Sequence, residues 1–586
     1  GYTYQHPDER FLLMEALKLK APTSLGEALD PWRTPANPNN HGTAFYVYGA
    51  LPPQLIRAVT TPFGLAQLGE LLPAARLLTI FMDLVGMVLL VALARRLAGP
   101  RGALLAGVLY GSAPLLVQQA RFATVDVWGT TLVVAATWEV VGRPVTLGRV
   151  ARAGLWVGLA TACKPNLVLA LLVPMVALGV SAWQRRPPAG RTVAWTLAAA
   201  MVLGAAALLA VKVADPGLFA GVFSLHPNPR RLAALQQLAY FFAGNGQYPP
   251  NLQWADRLPV LEPLANLLIW GTGPLLGMAV VLGVGGIAAR AVLGEARWWP
   301  LLAFLLPGLV WPLTRFVCSV RHLEPVLPLA VLGAGWWLAR RRPWVRAAVV
   351  GGTLVWGLGW ASIGWREHTR LEASRWLEAN LPPGAIVTSE YWDDALPVGR
   401  SHGLVQLSMR VFDPDTPAKR EALLAALELA DAVVLASQRG VGSICRVPDA
   451  YPLTSEYYHL LFSGALGFRQ AASFTRRLGP LLDLRAEESL SVYDHPPVWV
   501  FTKTPAYSPE LARALLERVS LPPARRWHTV ELEARGIPPY LERWQEIGTL
   551  PCWLGGAGWE MAAAVLLWVI AVEVLGLLAG GVVRRL

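Results

Sequence analysis

Apolar runs recur along this chain with only short polar connections between them. A helix needs roughly 20 apolar residues to cross a bilayer. Runs of that order fall at 73–97, 100–119, 126–142, 152–163, 165–183, 192–213, 263–290, 298–316, 323–340, 343–365 and 557–583. They predict a polytopic α-helical membrane protein with about eleven spans. The pair at 152–183 is broken at Lys164-Pro165-Asn166, and its first member is short. Between 366 and 556 the pattern changes: charge rises and the apolar runs shorten. A helix around Leu371–Leu377, a strand at Ala385–Thr388, a helix over 418–430 and a strand at Ala432–Leu435 are expected there. A strand pair at 489–494 and 497–503, turning at Asp494-His495-Pro496, completes the pattern of a small α/β domain.

Basic residues give the spans a direction. Arg-rich connections at 95–101, 143–152, 184–191, 290–297, 340–346 and after 583 all fall on one side when the spans are threaded in order. Cytoplasmic loops carry the excess of Lys and Arg, so that side is read as cytoplasmic, in a bacterial plasma membrane. The expected organisation is an extracytoplasmic first loop with interfacial helices at 1–72 and a transmembrane bundle at 73–365. An extracytoplasmic α/β domain at 366–556 and a C-terminal transmembrane helix at 557–586 follow. An odd number of spans with an external start leads to the expectation of a further helix before Gly1.

Composition agrees with lipid as the solvent. Only 15% of residues are charged and 54% are hydrophobic, with mean hydropathy +0.41; soluble domains carry about 25% charged residues. The net charge of +12 sits as Arg in short loops, not as a groove-lining stripe, which argues against a nucleic-acid partner. Cys163, Cys318, Cys445 and Cys552 show no CxxC or metal-ligand spacing and are read as buried small side chains. A Cys445–Cys552 bridge is the alternative in an extracytoplasmic domain.

Polar residues collect on the outer face. Asp8 and Glu9 in His6-Pro7-Asp8-Glu9-Arg10 offer a general base with a second carboxylate beside it; a solvated helix start is the alternative. Arg121 and Asp126 flank one outer turn, as site residues or as a membrane anchor and a helix cap. Lys164, in a membrane turn, needs water or a partner and is suited to phosphate. Arg315 and Arg321 stand near the outer ends of two spans, and guanidinium groups match phosphate oxygens. The loop 214–262, with its aromatics and Arg230 and Arg231, fits a cover over a cavity. Carboxylates that activate a hydroxyl, beside cations that hold a leaving phosphate, suit group transfer from a phosphate-bearing lipid.

These positions resemble the GT-C superfamily, and more closely the family 39 group of protein O-mannosyltransferases and bacterial aminoarabinose transferases. The resemblance rests on Asp8-Glu9, the Tyr46-to-Pro52 stretch, Arg76 opening a span, the Arg121…Asp126 turn, Lys164-Pro165 and Arg321-His322-Leu323-Glu324-Pro325. It implies an inverting glycosyltransferase with a polyprenyl-phosphate sugar donor and an unknown acceptor. Asp8 becomes the base with Glu9 beside it, Lys164, Arg321 and Arg315 the donor-phosphate contacts, and Arg121, Asp126, His322 and Tyr46 supporting residues. His322 departs from the Tyr that the family more often shows. No cofactor is required by it; Asp8, Glu9 and Asp126 have the oxygen atoms a divalent metal takes, but no motif demands one. Ser389–Asp394, Tyr457–Phe462 and Ala486–Pro496 look like stretches of uncharacterised bacterial relatives, and for the 366–556 domain the resemblance implies no activity. Two other readings compete. One is a catalytically silent scaffold that assembles into a larger complex through 366–556. The other is a transporter, disfavoured because the polar residues crowd one face and not the midplane.

Overall fold

The computed structural model describes residues 6–185, 189–244, 249–399, 403–476 and 486–521. The expected span at 557–583 and the Cys445–Cys552 bridge lie outside these residues. Helices dominate as far as Ile363. Among the described residues, four helices are long and apolar enough to cross a membrane: Leu68–Tyr110, Pro165–Gln184, Gly190–Ala214 and Pro274–Val292. The first contains two of the expected spans, joined at Gly99, where the backbone turns left-handed just before Pro100. Val125–Val140 is buried on nearly every side and is an inner helix of the bundle, as an element apolar all round must be.

Close backbone approach sets part of the packing. Gly154 and Gly158 lie one turn apart on Leu147–Thr161 and face the Gly190–Ala214 helix. A Cβ at Gly158 would stand 2.3 Å from the Ala207 carbonyl oxygen. Small residues at this spacing let membrane helices touch along their backbones. The expected span 263–290 is interrupted: a π-helical turn at Asn266–Gly271 precedes the helix Pro274–Val292.

The α/β domain carries a five-stranded sheet, β1 Ile386–Glu390, β2 Val405–Met409, β3 Ala432–Leu435, β4 Phe468–Phe474 and β5 Val498–Lys503, in the order β2-β1-β3-β5-β4. β1 runs parallel to β2 and β3, whereas β5 is antiparallel to β3 and β4. Alternation along β3 shows why both faces are covered: Val433 and Leu435 enter one apolar cluster with Leu427 and Phe501, and Val434 enters another with Leu377 and Val500. The helix at Thr369–Asn380, the helix at Pro417–Leu429 and strands β1, β3 and β5 match the sequence expectation.

One element differs. Residues 489–494 form no strand; Glu488–Ser491 is a helical turn, and β5 pairs with Phe468–Phe474 instead. Leu490 and Ala486 are buried in the core of the membrane bundle, so this segment is drawn away from the sheet. It docks the domain. Glu487 accepts hydrogen bonds from Ser319 Oγ (3.3 Å) and Val320 N (3.2 Å), and its own N–H donates to Asn266 Oδ1 at 3.0 Å. Gln118 Nε2 and Arg121 Nη2 both reach Asp494, at 2.6 and 3.2 Å. The π-helical turn that breaks the span thus presents Asn266 to the domain, and such turns are common at functional positions.

Candidate functional site

The site begins at the helix Pro7–Lys18. His6 caps it, with Nδ1 accepting from the Asp8 N–H at 3.1 Å, and Pro7 occupies the first position, where an N–H is dispensable. Asp8 and Glu9 follow in the first turn, where the helix dipole favours carboxylates. From there the two diverge. Asp8 pairs with Arg321 and keeps 24% of its side-chain surface exposed. Glu9 is wholly buried, bound through both oxygens by Arg76 at 2.7 and 2.8 Å and by the Ala123 N–H at 3.0 Å.

Arg321 joins Asp8 to a second carboxylate. Its Nη1 lies 4.0 Å from Asp126 Oδ2, while Lys164 Nζ donates to Asp126 Oδ1 at 2.6 Å. Asp126 is 2% exposed and sits in the first turn of Val125–Val140. Both cations stand where a 3₁₀ segment leads into a helix: Lys164 caps Pro165–Leu171, and Arg321 opens Val320–Val326. Short 3₁₀ runs carry poorer hydrogen bonds than α-helix, and here they deliver a cation to the bundle's rim. The cluster Asp8–Arg321–Asp126–Lys164 therefore draws on four chain segments. Glu324, one 3₁₀ turn beyond Arg321, is buried, and its Oε2 has no hydrogen-bond partner among the described residues.

Tyr48 completes the wall. Its hydroxyl stands beside the Asp8 carboxylate and helps to hold that group down. Gly49 N donates to the Cys163 carbonyl at 2.9 Å and Leu51 N to that of Ala162 at 3.1 Å, tying this stretch to the Lys164 turn. Gly49 has no substitute there, since a Cβ would lie 1.8 Å from the Ala162 oxygen. Behind it, buried Arg231 donates to the Tyr46 and Tyr48 carbonyls at 3.1 and 2.6 Å, and Asp215 accepts from Ala50 N at 3.0 Å.

Electrostatics follow from these contacts. Burial pushes the Asp8 carboxyl up, but Arg321, His6 and the hydrogen bonds from Arg321 and Tyr48 outweigh it and hold it well below the usual carboxylate range. Burial takes His6 down to about 4, so it is neutral near pH 7. Among the described residues no group of three or more His, Cys, Asp or Glu side chains gathers as a metal site would need.

The structure thus brings Asp8, Asp126, Lys164 and Arg321 together, and it places other candidates elsewhere. Glu9 is wholly buried and anchors the first helix to Arg76. The expectation of a second carboxylate beside the base thus meets a side chain whose two oxygens are both bound in the interior. Arg315 is exposed and stacks 3.8 Å from the Trp311 ring centre, the posture of an interfacial anchor. Arg121 holds the α/β domain through Asp494. Tyr46 is buried, donating to Gly49 O at 2.9 Å beneath the Arg231 guanidinium. His322 packs on Phe242 at 5.3 Å. Tyr48, His6 and Tyr493, whose ring lies 4.3 Å from His6, went unassigned in the sequence. Tyr48 could have been found from its place between Tyr46 and Gly49; Tyr493 had no local signal.

Comparison with known proteins bears on this arrangement. Residues 58–210 match the family described as dolichyl-phosphate-mannose-protein mannosyltransferase. The resemblance read from the sequence is borne out over that segment, which includes Arg76, Asp126 and Lys164, and the match supports a membrane glycosyltransferase. No curated protein matches the chain by sequence. Similar solved structures include the archaeal oligosaccharyltransferase AglB from Archaeoglobus fulgidus, with an inhibitory peptide and a dolichol-phosphate. It is 12% identical, with 80% of this chain and 69% of that one covered, at a TM-score of 0.45. ArnT from Cupriavidus metallidurans bound to undecaprenyl phosphate is 14% identical over 84% of this chain and 96% of that one, at 0.39. The mycobacterial arabinofuranosyltransferase AftD is 15% identical, covering 86% of this chain but 42% of that one, at 0.34.

Proposed function

We propose that this chain transfers a sugar from a polyprenyl-phosphate donor to an acceptor hydroxyl on the extracytoplasmic face of a bacterial membrane. The observation that carries the reading is the Asp8–Arg321–Asp126–Lys164 cluster, a carboxylate with exposed surface beside two cations. Asp8 takes the proton of the acceptor hydroxyl as that oxygen attacks the anomeric carbon. The bond from that carbon to the phosphate oxygen breaks, and its electron pair leaves with polyprenyl monophosphate. Attack from the side opposite the phosphate inverts the anomeric centre. Arg321 and Lys164 meet the charge that develops on the leaving phosphate, which is the larger electrostatic task.

Donor binding and base strength are coupled in this arrangement. A carboxylate held down by Arg321 is a weak base. A donor phosphate that draws Arg321 toward itself releases Asp8 to a more ordinary basicity, so the base gains strength when its substrate is in place. Asp8→Asn keeps the helix start and removes the base. Its transfer from a polyprenyl-phosphate sugar is expected to fall by about 10²–10⁴-fold, with insertion and melting unchanged. Undiminished transfer in that variant would rule out Asp8 as the base, and donor that neither binds nor reacts with the wild-type chain would favour the silent scaffold.

A further inference from the structure

Tyr391 and Trp392 follow β1 at its carboxyl end, 46% and 39% exposed. Their rings meet edge to face at 5.7 Å, and the Arg410 guanidinium lies 5.1 Å from the Tyr391 ring centre. Trp392 has a φ of 81°, a left-handed conformation that is a marked outlier for a bulky side chain. The turn is clamped in that state. Asp393 pairs with Arg370 at 2.5 Å and with Ser437; Asp394 pairs with Arg370 at 2.7 Å and Arg10 at 3.3 Å. Arg439 Nη1 donates to the Trp392 carbonyl at 2.9 Å. Glycine would occupy this backbone without strain, yet an indole stands here. Strain that the surroundings over-determine clusters at ligand-holding sites.

Two routes of contact run from this turn to Asp8. Asp394 pairs with Arg10, two residues beyond Asp8 on the same helix. Arg439, which binds the Trp392 carbonyl, also lies 3.3 Å from the Tyr493 hydroxyl, and Tyr493 packs on the His6 that caps Asp8. In sheets with parallel strands, ligands bind beyond the carboxyl ends, and here the turn beyond β1 is tied to the Asp8 helix through Asp394 and Arg10.

We propose that Tyr391 and Trp392 form an acceptor subsite for a carbohydrate, holding a sugar ring so that the growing end reaches Asp8. This inference rests on the glycosyltransferase reading above. The C–H face of a sugar ring packs on an aromatic surface, while its hydroxyls accept hydrogen bonds from Arg10 and Arg410 and donate to Asp394. An extended peptide is recognised through main-chain pairing along a sheet edge or groove, which this turn does not offer. The rival occupant is the bilayer interface, where Trp and Tyr also gather.

The test uses the full chain in nanodiscs and saturation-transfer NMR with mannotriose, arabinotriose and chitotriose. At least one trisaccharide should bind through its ring C–H protons. Trp392→Ala and Trp392→Gly should each weaken it about tenfold or more. Trp392→Gly relieves the left-handed strain, so it should melt no lower than Trp392→Ala, which separates lost binding from lost folding. Binding of none of the three, or binding indifferent to Trp392, overturns the proposal, as does quenching of Trp392 by brominated lipid without saccharide binding. Transfer retained by Asp8→Asn would instead remove the base while saccharide binding still reports on the subsite.

Discussion

Arg321 serves two carboxylates at once, pairing with Asp8 and approaching Asp126. Removing its charge leaves Asp8 to burial, which raises a carboxyl. In Arg321→Gln the acid limb of the kcat/KM profile should move to higher pH by about 1–3 units, with a weaker donor KM; an unmoved limb would separate Arg321 from the base. A second residue-scale prediction concerns Glu390, which burial and Asp393 push up to about 8 against the hydrogen bond from Tyr458. The folded domain therefore holds a proton that the unfolded chain releases near pH 4–5. Stability contributed by that group falls as pH rises from there to about 8, then levels. Glu390→Gln should flatten this dependence and raise the domain's melting temperature at pH 8 relative to wild type; thermal melts at pH 5 and pH 8 read it directly. Neither effect is legible in sequence, where Asp8 and Glu390 look like any carboxylate near a helix or strand end.

The first helix places Asp8 and Glu9 side by side, and the element decides what each does. Successive helix positions point about 100° apart, so one carboxylate turns to the cluster and the other inward to Arg76. Glu9→Gln weakens the tie of a wholly buried side chain to Arg76, which is itself 27% exposed, so the loss stays below the about 3–5 kcal/mol of a fully buried pair. The expected outcome is a lower melting temperature together with lost transfer, whereas Asp8→Asn loses transfer alone. Equal melting of the two variants would contradict the division of labour. From the sequence, apolar length and periodicity indicated the inner helix Val125–Val140 and strands β1, β3 and β5. The same reasoning misread 489–494, because alternation cannot tell a strand from a segment whose apolar residues are buried in another domain.

At the scale of the molecule, the segment 486–496 ties the α/β domain to the bundle and carries Tyr493 to His6. Asp494 is its main polar tie, receiving Gln118 and Arg121. Asp494→Ala removes this tie from Arg121, which is 35% exposed, so the loss stays at or below the lower end of the about 2–5 kcal/mol of a buried charged pair. Transfer should drop while donor binding to Lys164 and Arg321 persists, and limited proteolysis should release the domain faster. Unchanged proteolysis would show that the apolar contacts of Leu490 suffice.

The sequence by itself determined the solvent of the chain, the succession of apolar spans, the helix–strand alternation of the α/β domain and the resemblance borne out over 58–210. Each of these depends on local composition or on a period of a few residues, which a linear reading can follow. Tertiary structure decided which polar residues meet. Asp8 and Arg321 stand 313 positions apart, and their partnership comes from packing two 3₁₀ segments and the helix Pro7–Lys18 at one end of the bundle. The same packing took Glu9 and Arg121 out of the cluster and brought in Tyr48 and Tyr493, because burial and partner geometry exist only once distant segments are in contact.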